Sequence, residues 1–276
     1  MSDNRVQGLS SDPAAILPRL LDQIDTDRNS AIGIAGAPGS GKSTLARTLV
    51  QYINQAGIPA CLLSLDDYYL GRGEREQLAM NLHPLFRQRG VPGTHELDRL
   101  LTDFDRIQNG EIKELRLPVF NKSTDDREAD HLWRSLERAP RIIILEGWCV
   151  GAAPQKRTEL NVPANETERV HDAHGRWRHE VWKSWQQLFT ELHGRLDQVW
   201  YIRVPDWKCV IDWRWQQERE LAQVNLKSRA EVENFLNCFE RIVNHMQGSY
   251  TQWADLVLEA DRNHDIRLPD QSGKAT

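Results

Sequence analysis

A chain of 276 residues, 39% hydrophobic and 27% charged, has the make-up of an ordinary soluble globular protein rather than a disordered one, with room for one large α/β domain or two small ones. Its net charge of −5 gives no electrostatic reason to bind nucleic acid or an anionic membrane. No apolar run approaches the ~20 residues needed to cross a bilayer, and the four cysteines (Cys61, Cys149, Cys209, Cys238) lack the spacing of a zinc site or disulfide framework, so a reducing cytoplasm is expected.

Residues 1–15 contain no apolar core, so no secretory signal is expected. Apolar spacing over 13–25 predicts a leading helix. The run SAIGIAG, 30–36, predicts a buried strand, and 41–57 a helix closed by Gly57 as its C-cap. Residues 58–67, IPACLLSLDD, predict a second buried strand ending in two carboxylates, and strand, helix, strand in this order predicts a right-handed parallel unit. Helical spacing recurs at 75–86 and 97–111 around a loop at 87–96. Residues 112–127 read as irregular and partly extended. Residues 141–150, RIIILEGWCV, are the clearest strand and lead into Glu146. The polar stretch 152–175 reads as a loop or excursion. Beyond it come a helix at 179–194, a strand at 196–204, helices at 205–222 and 229–250, and a last strand at 254–261. Seven of the ten tryptophans lie between Trp177 and Trp215 and are read as core and helix-packing aromatics. The alternation predicts a three-layer α/β/α fold with a mainly parallel sheet. It is one domain, with an N-terminal helix extension at 1–30, a core at 30–262 and a tail at 263–276.

The segment Gly36-Ala37-Pro38-Gly39-Ser40-Gly41-Lys42-Ser43-Thr44 carries the full G-x-x-x-x-G-K-[ST] pattern between a strand and a helix. Its glycines let backbone N–H groups close on phosphate oxygens at a helix start. Lys42 is expected on the β- and γ-phosphates and Ser43 on Mg²⁺. At the end of the second strand, one of Asp66 and Asp67 is expected to cap a turn. The other can take a proton from an attacking alcohol or help to order the metal. Glu146, at the end of its own strand, is a candidate for orienting Mg²⁺. No N-K-x-D base-recognition motif is present, which favours ATP over GTP.

The phosphate loop, the S-x-D-x-Y-Y strand end at 64–69 and Leu145-Glu146-Gly147 together resemble the kinase branch that includes uridine kinase, phosphoribulokinase and pantothenate kinase. The resemblance implies a general base at Asp66, with Asp67 and Tyr68 beside the substrate. RGVPGTHELD, LPVFNKSTDDR, LEGWCVG and WRWQQE, in this order and spacing, are similar to the D-glycerate 3-kinase family of plants and its microbial relatives. This likeness runs from about Ile32 to Leu258. It implies a phosphate-loop kinase with a helical substrate-covering excursion and a lid, using ATP and Mg²⁺ to convert D-glycerate into 3-phosphoglycerate. The rival expectations are a kinase of another small alcohol and an ATP-hydrolysing switch. A small anionic acceptor needs cationic donors, and Arg89, His95, Lys122 and Arg127 are available. Arginine suits bidentate carboxylate recognition, and Lys122 suits a point charge near phosphate. His95 either contacts substrate or caps the helix beginning at 97. Arg214, with Arg219 second, either covers the transferring phosphate from the lid or belongs to a salt-bridged helix face beside Glu218 and Glu220. Asn263 and His264 follow the last strand, where this fold often borders the adenine. Oligomeric state is not legible.

Overall fold

Short apolar runs become the centre of one sheet. The computed structural model describes residues 13–221 and 228–269. Most of the stretch expected to lack a leader (1–12), the end of the predicted helix at Ala222, and tail residues 270–276 lie outside the described residues. In chain order the first half comprises α1 (Pro13–Leu21), β1 (Ser30–Gly36), α2 (Lys42–Gln55), β2 (Ala60–Ser64), α3 (Arg72–Asn81), α4 (Leu97–Gln108), β3 (Phe120–Asn121) and β4 (Asp126–Arg127). The second half comprises β5 (Ile142–Glu146), α5 (Glu166–His171), α6 (Arg176–His193), β6 (Gln198–Arg203), α7 (Trp207–Leu221), α8 (Arg229–Ser249), β7 (Leu256–Ala260) and β8 (Ile266–Arg267).

The sheet has the order β2-β5-β1-β6-β7-β8, parallel throughout except for β8, which runs antiparallel at the edge. Helices cover both faces, giving the expected three-layer, mainly parallel architecture. The strands of the predicted parallel unit are not neighbours: β5 lies between β1 and β2. Every residue of β1 and β5 is buried, as strands covered on both faces require. Behind β1, α2 ends as its sequence predicts, with Gly57 N–H donating to the Asn54 carbonyl and Ile58 N–H to that of Ile53. Trp177, Trp185, Trp200 and Trp213 are buried in the core.

Two segments depart from the sequence pattern, and a third, 112–127, is partly extended as read. The helix expected at 75–86 stops at Asn81, because His83 precedes proline and is held extended (φ −162°, ψ 137°). Pro84–Arg87 then forms a single 3-10 turn. The polar stretch 152–175 contains α5, capped by the Asn165 side chain, which accepts from the Glu168 N–H at 3.0 Å. Buried ion pairs fix it, Glu168 with Arg241 and Asp172 with Arg178, so apolar periodicity gave no sign of it. Residues 112–127 end in the β3–β4 hairpin, whose turn carries Lys122. Among the described residues, no helix is long and apolar enough to cross a membrane.

Candidate active site

Three strand ends meet at the carboxyl edge of the sheet, where open α/β folds take their ligands. Ser64 of β2 and Glu146 of β5 are register partners, and Ser64 Oγ donates to Glu146 Oε1 at 2.6 Å. From Gly36, the end of β1, the loop turns through Gly39 (φ 81°) and Gly41 (φ 86°) into α2. Those left-handed positions suit glycine and let the backbone curl around a ligand. The first-turn N–H groups of α2 have no acceptor within the helix, so its start favours an anion. Ala37 and Ser40 are buried in the loop, and Ser40 Oγ has no hydrogen-bond partner among the described residues. Lys42, the first residue of α2, is 9% exposed.

Pro38, Gly39, Gly41, Lys42, Ser43 and Thr44 line a cavity of about 150 Å³. Asp66, Tyr69, Arg89, Lys122, Trp148, Arg214, Gln217, Phe235 and Phe239 complete its wall. Asp66 Oδ1 accepts from the Tyr69 hydroxyl at 2.8 Å and Oδ2 from the Lys122 ammonium at 2.6 Å. Burial alone would raise the Asp66 carboxyl, but the charges of Lys122 and Lys42 outweigh it and hold the group below the ordinary carboxylate range. Burial pushes the Tyr69 phenol well above its usual value, with the Asp66 charge adding to it, so Tyr69 stays a donor. Arg89 pairs with Asp125 and lies 5.3 Å from the centre of the Phe120 ring. Arg214 pairs with Glu218 and bonds Gln217 at 3.2 Å. Its backbone lies against the phosphate loop, 3.6 Å from where a Cβ on Gly39 would stand. The salt-bridged helix face of the sequence reading is present, and the same residue lines the cavity.

Other predicted site residues lie outside this wall. Asp67 Oδ1 accepts the Phe120 N–H at 3.3 Å, and its carboxylate is 3.5 Å from Arg134. It fastens β3 to the turn. Tyr68 is buried and donates to Asp103 Oδ2 at 3.2 Å, pointing into the packing against α4. Arg127 donates to the Tyr69 carbonyl at 2.7 Å and pairs with Glu96 at 2.8 Å, so it braces the segment behind Asp66. His95 caps nothing, since the N-cap of α4 is Glu96. Its ring stacks on Tyr69 at 4.5 Å, and burial lowers its pKa to about 4. Arg219 stacks on Trp215 away from the cavity. His264 packs against Trp213 at 4.1 Å, on the helix that touches the phosphate loop, while Asn263 is exposed, its N–H on Asp261 Oδ1.

Ser43 and Glu146 offer hard oxygen donors beside the loop. Glu146 is 4% exposed and accepts the Ser64 hydroxyl. Burial raises its pKa, against the pull of Lys42. Among the described residues no group of three or more His, Cys, Asp or Glu gathers as a metal cage. Magnesium needs none, because it takes one or two protein oxygens and fills its shell with water and phosphate. The donor set fits that ion.

The sequence profile of the phosphoribulokinase/uridine kinase family matches residues 31–153. The uncharacterized kinase mug58 of Schizosaccharomyces pombe is 31% identical over 217 residues, 75% of this chain and 76% of that protein. The chain belongs to this family. Uridine kinase of Halobacterium salinarum is 30% identical over 122 residues, 42% of this kinase and 47% of its own length. A D-glycerate 3-kinase structure from Cryptococcus neoformans superposes with a TM-score of 0.65 over 92% of this kinase and 94% of that chain, at 22% identity. That likeness shows a shared fold. Kinases of this phosphate-loop family use ATP.

Sequence reading missed Tyr69, Trp148, Gln217, Phe235 and Phe239 as lining residues. Tyr69, Trp148 and Gln217 stood inside the quoted motifs. Phe235 and Phe239, spaced i and i+4 on α8, carry the signature of a core stripe and nothing more.

Proposed function

We propose that this kinase transfers the γ-phosphate of ATP to the 3-hydroxyl of D-glycerate, giving 3-phosphoglycerate. One observation carries the reading: the phosphate loop, Asp66 and two cationic side chains from separate segments, Arg89 and Lys122, wall a single cavity. A phosphate loop alone suits any nucleotide enzyme. A carboxylate with two cations in the same wall suits an alcohol that is itself an anion. The likeness to D-glycerate 3-kinase supports the same choice.

In this reading Arg89 and Lys122 receive the acceptor carboxylate. Asp66 takes the hydroxyl proton as the oxygen bonds the γ-phosphorus, and the bond from that phosphorus to the β–γ bridging oxygen breaks to release ADP. Lys42 and Arg214 meet the charge that develops on the transferring group. Ser43 and Glu146 would hold magnesium, which when bound supplies charge neutralisation at the β- and γ-phosphate oxygens.

The aromatic side of the cavity, Trp148 edge-on to Phe239 at 4.9 Å, favours a second reading in which a nucleoside is the acceptor, as the uridine kinase relative suggests. Purified protein with Mg-ATP and D-glycerate, uridine, pantothenate or no acceptor separates them by ADP and product formed. The expected result is acceptor-dependent ADP release with D-glycerate, reduced about 10²–10⁴-fold in Asp66→Asn with ATP binding retained. ADP release indifferent to every acceptor would overturn the kinase reading in favour of an ATP-hydrolysing switch.

A further inference from the structure

Both carboxylate oxygens of Asp66 are engaged, and the two donors differ in kind. Tyr69 is 4% exposed and wedged between His95, stacked at 4.5 Å, and the edge of Phe120 at 5.2 Å, so it is a fixed donor. Lys122 reaches Asp66 through a long side chain that is 56% exposed. The hairpin beneath it is pinned independently. Buried Arg75 donates to the Asp125 carbonyl at 2.6 Å and pairs with the Asp125 carboxylate at 3.0 Å, and the Arg72 N–H donates to Asp126 Oδ1 at 3.1 Å. The lysine head can therefore leave Asp66 without any movement of backbone.

We propose that Lys122 is an acceptor-operated latch on the base: its ammonium holds Asp66 until an anionic acceptor offers it a second carboxylate, and Asp66 then takes the hydroxyl proton. This rests on the kinase reading above and adds a specificity rule to it. A carboxylate in a close charge-assisted pair is a weakened base, and the side of Asp66 that Lys122 occupies is shut to an incoming hydroxyl. A neutral alcohol or water brings no competing anion, so the pair persists. An acid brings one between Lys122 and Arg89, and exchanging one carboxylate for another keeps a charge-assisted bond in both states. Water always has access to bound nucleotide in an open site, so a permanently free base would promote hydrolysis. The latch ties base activation to the correct acceptor.

The test compares wild type, Lys122→Gln, Lys122→Arg and Asp66→Asn/Lys122→Gln at saturating Mg-ATP with D-glycerate, glycerol or no acceptor. In the acceptor-free reaction a water oxygen bonds the γ-phosphorus, the β–γ bridging bond breaks, and one water proton goes to Asp66. Lys122→Gln is expected to raise acceptor-free ADP release about tenfold or more and to narrow the ratio of kcat for D-glycerate to that for glycerol by a similar factor. Lys122→Arg, which keeps the charge, is expected to restrain hydrolysis more than Lys122→Gln does, and the double variant to lose the gain. Equal losses with acid and neutral acceptors, with hydrolysis unchanged, would overturn the latch and leave Lys122 an ordinary binding charge. Wild-type turnover of D-glycerate tests the kinase reading by itself. If no acceptor is turned over, that reading fails, and the hydrolysis arm still decides the latch, with an unchanged rate in Lys122→Gln counting against it.

Discussion

Asp66 and Asp67 face different partners because Leu65–Tyr68 is a 3-10 turn. About three residues per turn sets successive side chains roughly a third of a turn apart and brings i and i+3 together. Asp66 therefore meets the Tyr69 hydroxyl, Asp67 is turned onto the Phe120 N–H, and Tyr68 onto Asp103. The carboxylate pair was legible in the sequence, but the choice between its members depends on turn geometry, which residue type does not encode. Arg127 shows the same limit: its charge was legible, whereas the Glu96 that takes it was not. His95 gives a test at this scale. Burial lowers it to about 4, and an unfolded histidine titrates near 6.5. Above pH 6.5 both states are neutral and the group contributes nothing. Between pH 6.5 and 4 the unfolded chain binds a proton that the folded chain refuses, so stability falls as pH falls, by about 1.4 kcal/mol per unit. Denaturant unfolding at pH 7 and pH 5 is expected to show a loss on the order of 2 kcal/mol from His95, absent in His95→Gln. The same pH difference in both proteins would contradict it.

At the scale of elements, one side of the cavity is made where α8 meets the loop between α3 and α4. Gly90 has φ 132°, its carbonyl accepts the Trp148 indole N–H at 2.8 Å, and a Cβ there would stand 2.1 Å from Cζ of Phe239. Glycine at 90 is thus what lets α8 bring its aromatic rings to the cavity. The loop's glycines were visible in the sequence, but their partner on α8 lies far along the chain. Gly90→Ala is expected to cost about 1–3 kcal/mol in denaturant unfolding by overpacking. The cost should shrink in a Phe239→Leu background, since the clash belongs to the pair. Strictly additive effects would show that Phe239 is not what Gly90 accommodates.

For the molecule as a whole, the donor end of the site follows from the sheet. Gly36, Ser64 and Glu146 end three neighbouring parallel strands, so features scattered along the sequence converge at one edge. That much was readable because a strand end is a local signal, an apolar run closing on glycine or acid. The insertion of β5 between β1 and β2 was not, since strand order is settled by packing on both faces and not by any one segment. Of the cavity wall beyond the phosphate loop, Asp66, Arg89 and Lys122 were readable, whereas Phe235 and Phe239 of α8 were not, because their spacing is that of a core stripe. The fold accordingly fixes where phosphate is given up, while the acceptor side carries the functional claim. Phosphorus NMR of the wild-type protein with Mg-ATP and D-glycerate tests that claim most directly. The account predicts a phosphomonoester signal that grows one for one with ADP and is split into a triplet by the adjoining methylene, as a phosphate on the 3-oxygen must be. A doublet from an ester at the 2-position, or inorganic phosphate alone, would contradict it.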